Sequence, residues 1–172
     1  KRTHEKVVLI GHSMGGTLST ISASHETVDR LILCAPYFGV TYNKRYILKP
    51  ETWTDIGNPF IRWVYKGDSF VMVNRPEVKN RIVSYRWVPI KAIKTLYELG
   101  ERAQSPEILD AINCPVLLIQ SQIDEASSPE KTRDIFQKMK SGDKQSMWLE
   151  TSNHHIFWDL ESDRVMSRIE HY

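Results

Sequence analysis

Four short runs along the chain are apolar throughout rather than alternating: KVVLIG from Lys6, RLILCA from Arg30, PVLLIQS from Pro115 and QSMWLE from Gln145. A strand that is buried on both faces reads this way, because helices cover both sides of the sheet it belongs to. Between the first two runs lies MGGTLSTISASHE, small residues with Leu18 and Ile21 at helical spacing. Between the third and fourth, SSPEKTRDIFQKMKSGD places Ser127 three residues ahead of Glu130 in capping-box spacing, with Pro129 near the first turn and Gly142 closing the segment. The last segment, DLESDRVMSRIEHY, carries Leu160, Val165, Met166 and Ile169 for docking a final helix. Strand and helix alternating in this order predict an α/β fold with a parallel sheet and helices on both faces.

The second connection breaks the pattern. It runs from Tyr37 to about Asn113, far too long for one crossover helix, and predicts an inserted subdomain. Within it VPIKAIKTLYELGERA places Ile90, Ile93, Leu96 and Tyr97 on one face, as expected of the helix that returns to the sheet. In NPFIRWVY, Asn58 is suited to cap a helix and Pro59 to its first turn. With Trp53, Phe60, Trp63, Tyr65 and Phe70 the insertion reads as a small helical cap that roofs a pocket. The expected organisation is core over 1–36, helical cap over 37–88 and core again over 89–172.

The chemistry is concentrated in GHSMG, which joins the first strand to the first helix. Gly-x-Ser-x-Gly in that context is a nucleophile elbow. The chain must turn so sharply that the serine is strained, and Gly11 and Gly15 are expected to leave room for it. Ser13 is thereby lifted clear of the sheet, and the N–H of Met14 is an oxyanion donor at the helix N-terminus. A serine needs a base, and the base an orienting acid, in the chain order Ser, Asp or Glu, His. Asp124, with Glu125 beside it, follows the third strand, and His154 and His155 follow the fourth. His12, inside the elbow, reads as structural with its side chain turned away from Ser13, and His4 and His25 have no partner in sequence.

The chain has 172 residues, enough for one core with one insertion, and a globular composition of 41% hydrophobic and 26% charged residues. Net charge is +2 with Lys and Arg dispersed, so no nucleic-acid footprint stands out, and NRPEVKNRIVSYRW reads as a solvated face. No apolar run approaches the roughly 20 residues of a membrane span. Cys34 and Cys114 border apolar runs and are expected to be free thiols in a reducing compartment, which with the lack of a signal sequence suggests the cytoplasm.

On GHSMGG, LILCAPYF, PIKAIKTLYEL, CPVLLIQSQIDEASSP and SNHHIFWDLESDRV the chain resembles the α/β-hydrolases, most closely bacterial carboxylesterases and monoacylglycerol lipases. The resemblance runs from Lys6 to the C-terminus and implies a catalytic Ser13, Asp124 and His154, with His154 preferred to His155 because the base follows a small polar pair in such enzymes. It implies ester cleavage through an acyl-enzyme, without metal or organic cofactor, on a small ester or acylglycerol. A ligand-binding protein on the same fold, and an acyltransferase or thioesterase using the same triad, remain open readings. The resemblance also places the elbow after the fifth of eight strands, so the N-terminal half of the core is expected in an upstream segment of roughly 80 residues or in a partner chain. The second oxyanion donor is expected from that missing part, and lacking one donor typically costs about 100-fold to 1,000-fold in turnover.

Overall fold

A computed structural model describes residues 6–41, 62–67 and 71–172. In chain order these residues form β1 (Val8–His12), α1 (Met14–His25), β2 (Arg30–Cys34), β3 (Trp63–Tyr65), a 3-10 helix (Pro76–Arg81), β4 (Trp87–Pro89), α2 (Ile90–Ala103), α3 (Pro106–Ala111), β5 (Val116–Ser121), α4 (Pro129–Lys138), β6 (Lys144–Leu149) and α5 (Ser162–Glu170). The four expected strands make one sheet in the order β1-β2-β5-β6, every pair parallel. This is the expected α/β architecture, a parallel sheet with flanking helices.

The apolar runs of β2 and β5 are continuous because each of these strands feeds two cores. Leu31, Leu33, Val116 and Leu118 pack with Ala23, Phe38, Leu109, Ile112, Ile135 and Met139 on the side of α1, α3 and α4. Their neighbours Ile32, Cys34, Leu117 and Ile119 turn to the opposite face and meet Leu149, Ile156 and Val165, under α5. Successive strand side chains point to opposite faces, so one uninterrupted apolar run supplies both. Cys34 and Cys114 are free thiols, and burial pushes the Cys34 thiol up to about 12. In the described sheet β1 lies at one end, with Val8 and Ile10 about half exposed. No helix among the described residues is long and apolar enough to cross a membrane.

Several expectations need correction. Trp63–Tyr65 is a strand, not part of a helix, and pairs antiparallel with Trp87–Pro89. Aromatic and β-branched residues suit a pleated ribbon better than a helix, and the Tyr65 and Trp87 rings meet 5.0 Å apart across the pair. The described part of the insertion is therefore a ribbon with a 3-10 helix, not a wholly helical cap. Asn58, Pro59, Trp53, Phe60 and Phe70 lie outside the described residues, as does His4. The N-cap of α4 is Ser128, whose hydroxyl accepts from the Lys131 N–H, and not Ser127. Leu18 is exposed on α1, which instead lays Gly16, Thr17, Ser19, Thr20 and Ala23 against the core, small residues that permit a close approach. On the C-terminal segment Val165 docks, Ile169 does so in part, and Leu160 and Met166 face outward.

Candidate active site

Ser13 stands between β1 and α1 with φ 53° and ψ −123°, a conformation that an L-residue keeps only where its surroundings hold it. They hold it on both sides. Its N–H donates to the Cys34 carbonyl at 3.1 Å, and its carbonyl accepts from Gly16 at 2.9 Å and Tyr37 at 3.0 Å. The Thr17 hydroxyl closes the ring by donating to the Tyr37 carbonyl. Among the described residues Ala35, just past β2, is the other non-glycine residue with positive φ, at 44°, so two adjoining turns share the strain.

The glycine requirement differs in detail from that expected. A Cβ on Gly11 would lie 2.4 Å from the Gly15 carbonyl oxygen, and one on Gly16 would lie 2.8 Å from the Pro36 Cβ. A Cβ on Gly15 would meet nothing within 4 Å. Gly11 and Gly16, rather than Gly11 and Gly15, are the positions where packing admits no side chain. Gly15 contributes its backbone to the obstruction at Gly11.

The three candidate residues lie within one hydrogen-bonded chain. His154 Nε2 is 2.9 Å from Ser13 Oγ, and His154 Nδ1 is 2.9 Å from Asp124 Oδ2. Asp124 and His154 are buried, and Ser13 is partly so. The second Asp124 oxygen accepts the N–H groups of Ala126 and Ser127, each at 2.8 Å. Burial opposes the charge on Asp124, yet the imidazole beside it and these donors hold the carboxyl below the usual range. An ionised carboxylate only accepts, so Nδ1 carries the proton and Nε2 is left to accept from the serine. Met14 is the first residue of α1, where backbone N–H groups have no partner within the helix.

The two neighbouring histidines take other places. His155 donates its backbone N–H to the Met72 carbonyl at 3.1 Å, and its ring faces His12 and Trp158. His12 turns Nε2 to the backbone carbonyl of His154, 3.1 Å away, and so ties the elbow to the loop that carries the imidazole. Burial, and then the adjacent His154, push both His12 and His155 down to about 4, which leaves each neutral at pH 7. His25 is exposed at the end of α1.

Sequence reading missed the polar frame around His154. Asn153 Oδ1 accepts from the N–H of Glu125 at 3.0 Å and of His154 at 2.9 Å, bracing the two loops against each other. Asp159 is fully buried and accepts from the N–H of Asn153 at 2.7 Å, Asn74 at 2.8 Å and Leu160 at 2.9 Å. Glu161 accepts from Thr151 and Ser152; burial opposes its charge, but these N–H groups outweigh it and hold the carboxyl at about 2. The signal in sequence was thin: SNHH is followed by DLE, two acids that a turn or a helix start explains equally well.

A profile of the serine aminopeptidase S33 family matches residues 1–161. The fold is similar to that of one of the metagenome-derived lipolytic enzymes LipS and LipT, at 22% identity and a TM-score of 0.81 over 97% of this chain and 64% of that one. It is also similar to the monoacylglycerol lipase of Paleococcus ferrophilus, at 21% identity and a TM-score of 0.78 over 96% of this chain and 66% of that one. A soluble variant of the Saccharomyces cerevisiae monoglyceride lipase matches at 16% identity with a TM-score of 0.78, over 94% of this chain and 59% of that one. The chain thus spans about two thirds of the length of these relatives or less.

Proposed function

The chain belongs to the serine aminopeptidase S33 family of α/β-hydrolases, and from that premise we propose that it carries the catalytic residues of a serine hydrolase acting on carboxylic esters. The observation that carries the reading is the unbroken chain from Ser13 Oγ through His154 to Asp124, with both links at 2.9 Å. Ser13 attacks the ester carbonyl while His154 Nε2 takes its proton, and Asp124 stabilises the imidazolium that forms. The Met14 N–H faces the oxyanion at the helix N-terminus. The alkoxide leaves with the proton from His154, and water, deprotonated by the same imidazole, releases the acid from Ser13.

The substrate class is a small ester or an acylglycerol, supported by the lipolytic and monoacylglycerol lipase names of similar folds. No step calls for a metal or organic cofactor, because His154 supplies and removes every proton. A hydrolase-fold binding protein would not need Ser13 within hydrogen-bond reach of a base. Acyl transfer and thioester cleavage use the same residues with another acceptor or leaving group.

The test is release of p-nitrophenol from acetyl to decanoyl esters, beside a monoacylglycerol and an aminoacyl p-nitroanilide, with stoichiometric fluorophosphonate labelling. Ester turnover and labelling that both vanish in Ser13→Ala establish the reading. A folded protein that turns over no ester and leaves Ser13 unlabelled overturns it, and turnover confined to the anilide moves the substrate class to peptides.

A further inference from the structure

The carboxylate of Asp124 takes a fourth hydrogen bond. Gln120 Nε2 lies 3.0 Å from Asp124 Oδ2, the same oxygen that meets His154 Nδ1. Gln120 stands on β5, four residues before the acid, and is fully buried. Its amide nitrogen is also 3.2 Å from the Ser121 carbonyl oxygen. Both of those neighbours are acceptors without hydrogen, so the nitrogen is the end of the amide that faces them. Turned over, the amide would set an oxygen against a carboxylate oxygen.

The other end of the same side chain is unsatisfied: Gln120 Oε1 is buried and accepts no hydrogen bond among the described residues. A buried acceptor without a donor costs stability, and an apolar residue of similar length would avoid the cost. The residue before it on the strand, Ile119, and those before that, Leu117 and Leu118, are all apolar. A polar side chain kept at this place against the stability of the core marks a site where function outweighs packing.

We propose that Gln120 is a positioning residue for the acid of the triad. The carboxylate is planar, so its torsion, soft for aspartate, turns both oxygens together; the two backbone N–H groups restrain it at Oδ1, and a donor on the second oxygen narrows the remaining rotation. The Gln120 amide fixes that second oxygen where His154 Nδ1 meets it. The imidazole is then held toward Ser13 through Asp124, and Gln120 touches neither substrate nor the reacting atoms. This rests on the triad reading above.

The test compares wild type with Gln120→Met, which keeps the length and removes both polar atoms, and Gln120→Glu, which sets a second carboxyl against Oδ2. Three quantities are read: the thermal midpoint, kcat and KM on a p-nitrophenyl ester, and the downfield proton NMR resonance of His154 Nδ1–H. For Gln120→Met the midpoint is expected to stay or rise and KM to hold within about twofold, while kcat falls about 10-fold to 100-fold, the rate equivalent of one charge-assisted hydrogen bond. The resonance is expected to shift or broaden in both variants. Wild-type kcat with an unmoved resonance in Gln120→Met overturns the proposal, and so does a fall in kcat that only tracks a fall in folded fraction. If the wild type neither turns over ester nor takes the fluorophosphonate, the triad reading fails. The midpoint and the resonance still decide on Gln120 in that case, an unmoved resonance counting against it.

Discussion

Removing the Asp159 carboxylate tests how firmly the loop carrying His154 is tied down. In Asp159→Ala three backbone donors lose their acceptor: the N–H groups of Asn153, Asn74 and Leu160, bonded at 2.7, 2.8 and 2.9 Å. They do not count equally. Asn153 is buried, so its N–H is left without water and costs about 1–3 kcal/mol. Asn74 and Leu160 are exposed residues whose N–H groups find water, so each loses only the net worth of a hydrogen bond, about 0.5–1.5 kcal/mol. Relief from burying a carboxylate offsets part of the sum, which leaves a destabilisation of about 3 kcal/mol.

For a chain of this size that corresponds to a thermal midpoint lower by roughly 6–12 °C, read by circular dichroism. Activity is expected to fall further than the folded fraction, because Asn153 also sets the His154 N–H, and misplacing a catalytic group by about 1 Å costs up to roughly 100-fold. Asp159→Asn keeps one acceptor and turns an amide toward a donor, and is expected to fall between wild type and alanine. The reasoning is refuted if Asp159→Ala melts within about 2 °C of wild type and keeps its rate of fluorophosphonate labelling at Ser13.

Two further predictions concern the elbow and its histidines. Gly11→Ala is expected to abolish the folded elbow and Gly15→Ala to be tolerated, read as soluble yield and Ser13 labelling, because an added Cβ meets an oxygen at 2.4 Å at the first position and nothing within 4 Å at the second; equal behaviour of the two would contradict the packing argument. His12 and His155 are held near 4 in the folded chain against 6.5 for the free side chain, so the unfolded chain binds protons first as pH falls. The contribution of these two histidines to stability is therefore complete above about pH 6.5 and lost progressively down to about pH 4. Denaturant midpoints across that window should fall more gently in His12→Gln than in wild type.

The strands were legible because two-sided burial writes an apolar run, and the elbow because a strand turning sharply into a helix leaves no room for a side chain at Gly11. Asp124 and His154 were legible because each follows such a run. What escaped reading depends on contacts between distant segments. Asn74 donates to Asp159 across 85 positions, and nothing near either residue in sequence announces the other. Gln120 reads as the polar end of a strand until its amide is seen against Asp124. Ser127 and Ser128 are equivalent as caps by residue type. The choice falls to Ser128 because the Ser127 N–H is already bound to Asp124 Oδ1, which draws that residue into the turn of the acid. The glycines were misassigned for a related reason: the obstruction at Gly16 is Pro36, beyond a strand and a turn.

The position of the polar frame follows from strand order. Ser13 leaves β1, Asp124 leaves β5 and His154 leaves β6, with β2 standing between the first two. Neighbouring strands lie about 4.8 Å apart, so the loop after β6 must reach back across three spacings, about 14 Å, to set an imidazole against the serine. A loop making that reach cannot rely on the sheet ladder for its backbone partners. It takes them from side chains instead: Glu161 for Thr151 and Ser152, Asp159 for Asn153, Asn153 for His154 itself. His12 then hooks the His154 carbonyl from the far end of the span. Ser13, by contrast, is held by main-chain hydrogen bonds from β2 and the turn after it. Substitutions around His154 should accordingly separate rate from stability more readily than substitutions around Ser13, where the same hydrogen bonds hold the fold and place the proposed nucleophile.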